Sequence, residues 1–208
     1  MAYDLEEQEQ LDELKAWWKQ YGNFVTWVAI AAMLAFSGYK GWQIYQHQQN
    51  SQASQLYETL QQLKPTDIKA VREVSGQLID KYASTTYAGR AALLAAHANY
   101  QAGDRKSATA QLQWAHEHGS EDSVKSIAAL QLASIQLEDK KYDAALKALE
   151  AKPAAGFEGL VADMKGDVLA AQGNKTEARK AYEEALAKLD SDAPLHKYTA
   201  QKLDILGH

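Results

Sequence analysis

Three stretches of this chain line up without gaps: AHANYQAGDRKSATAQLQWA from Ala96, LASIQLEDKKYDAALKALEA from Leu132 and GDVLAAQGNKTEARKAYEEA from Gly166. A period of about 35 residues is one supersecondary unit that cannot bury its apolar face alone, so neighbouring units must stack. Gly103, Asp139 and Gly173 share the position where a first helix ends, and Asp139 is the least suited of the three to a left-handed turn. Ala108, Ala144 and Ala178 share a position where a methyl group lets the second helix lie against the first. Leu112, Ala148 and Tyr182, then Ala115, Ala151 and Ala185, continue that stripe at helical spacing.

This spacing is that of tetratricopeptide repeats, units of two antiparallel helices. The units are divergent: Gln131 and Lys165 stand where the motif prefers leucine, and Ala92, Ala128 and Ala162 where it prefers a larger side chain. The reading is all-α, a TPR-like α-solenoid of helical hairpins over residues 56–208. Upstream, residues 52–63 and 67–83 read as a further helix pair broken at Pro65 and lacking the repeat signature. Downstream, Ser191 and Asp192 read as an N-cap and Pro194 as a first-turn residue of a closing helix whose apolar face is Leu195, Tyr198 and Leu206.

A second feature precedes the repeats. From Gln20 to Tyr39 there is no charge, and a helix of that length spans the roughly 30 Å hydrocarbon core of a bilayer. Trp17, Trp18 and Tyr21 flank one end and Tyr39, Trp42 and Tyr45 the other, as aromatic rings do at membrane interfaces. The competing readings are a buried core helix and a cleavable signal peptide. A signal peptide has a short basic leader, whereas residues 1–20 hold Asp4, Glu6, Glu7, Glu9, Asp12 and Glu13 against Lys15 and Lys19.

The division expected is an acidic cytoplasmic tail (1–20), a single transmembrane helix (21–42), a glutamine-rich helical stalk (43–55) and the repeat domain. Two lysines before the span against Lys40 after it place the amino terminus in the cytoplasm and the repeats across the membrane. Ala31 and Ala35, with Ser37, Gly38 and Gly41 near the exit, give a small-residue spacing that allows another helix to approach.

Chemistry is sparse. The chain has no cysteine, which removes disulfides, thiolate metal ligands and thiol catalysis. His116 and His118 are two residues apart, so on a helix they point to different faces and do not jointly grip a metal. No phosphate-binding glycine loop and no nucleophile elbow occurs. The net charge of -5 is concentrated in the tail, and no basic block suits a nucleic acid. Asp163 with Asp167, and Glu183 with Glu184, read as solvated carboxylates. No enzyme, cofactor or metal site is expected; the reading is an anchored scaffold that binds proteins.

The order of the segments KAWWKQYGNF, span, GYKGWQIYQ, YASTTYAGRAALLAAHANYQAGD, KSIAALQLASIQLEDKKYDAALKALE and FEGLVADMKGDVLAAQGNKTEARKAYEEAL resembles the YfgM-type proteins of Gram-negative bacteria over almost the whole chain. The resemblance implies an ancillary subunit of the SecYEG translocon in the inner membrane. It would face the periplasm and act beside a membrane-anchored periplasmic prolyl isomerase on exported proteins. An assembly factor for another envelope complex, such as cytochrome c maturation, fits the same layout. If the usual inner face of such repeats binds partners, the register offers Arg90, His97, Tyr100, Gln101, Gln136, Asp163 and Asp167.

Overall fold

The structure, a computed structural model, describes residues 2–207, and side chains from Gln10 onward; the acids Asp4, Glu6, Glu7 and Glu9 lie outside the described side chains. Its described residues form nine α-helices and no strand. These are α1 (Ala2–Gln62), α2 (Ile68–Lys81), α3 (Thr86–Gln101), α4 (Arg105–His118), α5 (Asp122–Glu138), α6 (Tyr142–Ala148), α7 (Glu158–Ala171), α8 (Lys175–Lys188) and α9 (Pro194–Ile205). Two units result, Met1–Gln48 and Gln49–His208.

In the first unit the helix exposes Phe24, Trp27, Met33, Leu34 and Phe36, each more than 60% accessible. An apolar surface so extensive is foreign to water. By length and composition it can cross a membrane. Within the run, Thr26 donates its hydroxyl proton to the Gly22 carbonyl at 2.7 Å, the internal satisfaction that a polar group needs in hydrocarbon.

The second unit is a stack of hairpins. Residues 49–62 of α1 pair with α2, whose first turn is capped by Asp67 accepting from the Ala70 amide at 3.2 Å. Ala53, Leu60, Val71 and Leu78 of that hairpin pack against Ala91, Ala95 and Ala98 of α3. Alanine at these positions lets helix axes approach closely. Next, α3 with α4 and α5 bury Ala92, Ala108, Leu112, Ala128 and Leu132. A third cluster, Ala133, Ala145, Leu149, Val161 and Val168, joins α5, α6 and α7.

The three repeat turns are alike, and they correct the gapless alignment. Gly103 (φ +80°), Lys140 (φ +60°) and Gly173 (φ +87°) take the left-handed conformation. After each, an amide closes on a carbonyl five residues back: Asp104 to Asn99 at 2.9 Å, Lys141 to Gln136 at 2.8 Å and Asn174 to Leu169 at 2.9 Å. That is the Schellman closure of a helix C-terminus. The second repeat is therefore displaced by one residue: Asp139 remains right-handed (φ −77°) and Lys140 makes the turn. Accordingly Ala145 and Leu149, not Ala144 and Ala148, are the counterparts of Ala108 and Leu112, and Ala151 is exposed. The doublets Asp139-Lys140 and Ala144-Ala145 hid the shift in the letters.

Two other corrections concern the closing helix. Its N-cap is Ala193, not Ser191 or Asp192, and Pro194 opens the first turn. Tyr198 faces solvent at 66% exposure; the face turned inward is Leu195, Thr199, Lys202 and Leu206.

Candidate functional site

Helix α3 meets α5 and α5 meets α7, whereas no comparable contact joins α4 to α6 or α6 to α8 among the described residues. The first helices of successive hairpins are thus closer together than the second helices, so the first helices line the inner side of the stack. Two clefts open there. One, of about 260 Å3, is walled by Leu60, Leu63, Pro65, Val71, Leu94 and His97. The other, of about 280 Å3, lies between α3 and α5 with His97, Tyr100, Ser134, Ile135 and Glu138 on its walls. His97 borders both.

Polar groups brace this face. Arg90 donates two hydrogen bonds of 2.7 Å to Glu121, tying α3 to the residue that precedes α5. Fork-to-carboxylate geometry makes such a bond strong and directional. The Arg90 hydrogen bond holds the Glu121 carboxyl below its ordinary range, and Glu121 in turn raises Arg90. At the other end the Tyr100 hydroxyl donates to Glu138 at 2.8 Å. Arg105 reaches Glu138 and Asp139, each at 2.9 Å, and lies 5.4 Å from the Tyr100 ring centroid. The hydrogen bond from Tyr100, then that from Arg105, lowers Glu138.

Below this layer Asn99 is fully buried. Its side-chain amide donates to the Ala95 carbonyl and to Gln111 Oε1, both at 2.8 Å. Arg72 donates to Asn99 Oδ1 at 2.6 Å and also pairs with Asp104. Since Asp104 caps α4 through the Ser107 amide at 3.0 Å, one network fixes α2, α3 and α4 together. Hydrogen bonds from Ser107, backbone first, hold the Asp104 carboxyl below its usual value.

The seven residues proposed from sequence do not form one site. His97 and Tyr100 line clefts, and Gln101 Nε2 lies 2.9 Å from His97 Nε2, so these three belong together at the end of α3. Arg90 stands at the opposite end of that helix, engaged with Glu121. Gln136 faces elsewhere: it borders a cleft with Gln113, His116 and Lys147 of α4 and α6, and its Oε1 atom is buried without a hydrogen-bond partner among the described residues.

Asp163, expected from sequence to be a solvated carboxylate, is not one, and Asp167 beside it is half-buried. Asp163 is buried and accepts from Thr199 Oγ1 at 2.7 Å and Lys202 Nζ at 2.8 Å. Asp167 accepts from Lys202 Nζ and from the Tyr182 hydroxyl, both at 2.8 Å. The cluster fastens α9 to α7. Burial opposes the Lys202 charge, but the hydrogen bonds from both carboxylates outweigh it and its pKa rises. Burial, then the Asp167 hydrogen bond, pushes the Tyr182 hydroxyl far above its ordinary range.

What sequence reasoning missed is the apolar wall, above all Leu60, Leu63 and Leu94. Leu94 is 39% exposed in an otherwise alanine-rich helix, and its bulk among alanines was the available signal.

Stacked antiparallel helix pairs with an inner face lined by first helices define the tetratricopeptide class of protein-interaction domain. The sequence pattern of the tetratricopeptide repeat-like domain matches residues 15–208. A protein of Neisseria gonorrhoeae described as an ancillary SecYEG translocon subunit is 34% identical over 99% of this chain and 100% of its own length. Proteins of the same description are 31% identical in Haemophilus influenzae, over 89% of this chain and 91% of theirs, and 32% identical in Escherichia coli, over 69% and 66%. No solved structure matches the chain. The chain belongs to the family of these ancillary SecYEG translocon subunits.

Proposed function

We propose that this chain is a non-catalytic ancillary subunit of the SecYEG translocon. Residues 21–42 cross the inner membrane with the acidic tail (1–20) in the cytoplasm, and residues 43–55 form a stalk carrying the repeats (56–208) into the periplasm. There the inner face offers the α3 clefts to a periplasmic chaperone, a membrane-anchored prolyl isomerase, or to exported chains. The observation that carries this reading is the end-to-end match with the Neisseria gonorrhoeae relative, which takes in the apolar helix as well as the repeats.

The face favoured is the pair of clefts sharing His97, because apolar walls with a few directed polar groups are what peptide and side-chain docking uses. Confinement beside a translocon raises the local concentration of emerging chains, so modest intrinsic affinity suffices.

Charge and size changes on this face test the reading: Leu94→Glu, His97→Ala and Gln101→Lys in the full-length protein, with Lys175→Glu on α8 as control. Loss of the periplasmic partners from the three variants, with melting temperature unchanged, is the expected result. Partner recovery equal to the parent in all three would remove the inner face from the account. Cysteines placed singly at Ser51 and Ser191 settle the orientation: both should react with a membrane-impermeant maleimide once the outer membrane is opened, and protection of both would reverse it.

A further inference from the structure

The outer side of α9 is unlike that of the other helices of the second unit. Pro194, Lys197, Tyr198, Gln201, Asp204 and Ile205 are all exposed, at the three-and-four spacing of a helix packing face. Tyr198 is 66% and Ile205 83% accessible, the two most exposed large apolar side chains of the second unit. The opposite side of α9 is already committed to Asp163 and Asp167 through Thr199 and Lys202.

The charges on this stripe are arranged with one sign at each end. Lys197 stands one residue before Tyr198, and Asp204 one residue before Ile205. Among the described residues the ion pairs of α9 are those of Lys202, so Lys197 and Asp204 have none. Gln201, uncharged, lies between the two ends. Such a pattern is complementary to itself reversed: turned end for end about an axis through Gln201, Lys197 faces Asp204 and Tyr198 lies beside Ile205. A parallel pairing would put like charges together.

We propose that the outer face of α9 is an isologous docking surface for a second copy of this chain, with the two α9 helices antiparallel about a two-fold axis at Gln201. A residue meeting its own counterpart across the axis is the mark of such an interface. A contact of a single 12-residue helix on each side is at the small end of specific interfaces. The pairing is therefore weak in dilute solution and gains from confinement of both copies to one membrane.

Because the chain lacks cysteine, a single Gln201→Cys reports the axis directly. In membranes holding the full-length protein, mild oxidation should give a disulfide-linked dimer of Q201C, with little from Lys175→Cys, which is exposed on α8 outside the proposed face. The charge pattern is tested in the Q201C background. Lys197→Glu alone and Asp204→Lys alone each set like charges together at two symmetric places and should lower dimer yield about tenfold. The double variant K197E/D204K restores opposite signs and should restore the yield. All these positions are exposed, and unchanged circular dichroism checks that the variants fold. Q201C yield no higher than the Lys175→Cys control, or a double variant as poor as either single one, would overturn self-pairing. Capture of a different protein by the thiol of Q201C in place of the dimer would overturn it as well and assign the face to a heterologous partner.

Discussion

Changing Lys140 to glycine should make this protein more stable, although it removes a side chain and adds backbone freedom. Lys140 has φ +60°, a conformation in which the Cβ of an L-residue crowds the following carbonyl oxygen at a cost of roughly 1–2 kcal/mol. Glycine escapes that crowding but loses more entropy on folding, roughly 0.5–1 kcal/mol. The net gain is therefore about 0.5–1 kcal/mol, which for a domain of this size raises the melting temperature by about 1–4 °C. Asp139→Gly should do the reverse. Asp139 is right-handed, so glycine brings only the entropic loss, and its ion pairs with Arg105 and Lys141 disappear with the carboxylate. Thermal unfolding of the full-length protein in detergent, followed by circular dichroism, measures both variants. A higher melting temperature for D139G than for K140G would show that the turn lies at Asp139 and would refute the displaced register.

Three further outcomes follow from the packing. Gly166→Ala places a methyl carbon well inside van der Waals contact of two carbons of the Tyr182 ring; overpacking of this kind costs about 1–3 kcal/mol, and G166A/Y182L should recover part of the loss in the same melting assay. Asp163→Ala leaves Lys202 with Asp167 alone, for a loss of about 2–3 kcal/mol, below the full penalty for breaking a buried pair; hydrogen exchange should show lost protection in α9 while α3 and α4 stay protected. Acid should weaken the fold, because Glu121, Glu138 and Asp104 have pKa values held below their unfolded ones. Their contribution is complete above the ordinary glutamate value of about 4.5 and is lost as pH falls through the depressed values. Melting temperatures between pH 7 and pH 3 should drop on the acid limb, less steeply in Glu121→Gln, and a flat profile would contradict the ion-pair assignment.

The hairpin stack was legible because alanine at a fixed offset from a turn residue has one physical reading, close approach of two helices. Gly103 and Gly173 gave away two turns for the same reason, since glycine enters the left-handed region freely. Lys140 was illegible: no side-chain property marks a lysine as left-handed, and only the closure from Lys141 to the Gln136 carbonyl reveals it. Asp163 was misread because carboxylates are mostly solvated, and its burial depends on Thr199 and Lys202, 36 and 39 residues away in sequence. One of the two clefts at His97 likewise depends on Leu60 and Leu63, contributed by a hairpin that carries no repeat signature. Local chemistry specified the elements; the pairing of distant elements specified the site.

Attachment to the translocon is tested by isolating the tagged full-length protein from membranes in mild detergent. Co-purifying proteins would be identified by mass spectrometry against a control tagged on an unrelated single-span anchor. The expected result is specific enrichment of the three SecYEG subunits together with a periplasmic prolyl isomerase. A profile equal to the control, or enrichment of another envelope assembly such as cytochrome c maturation, would contradict it.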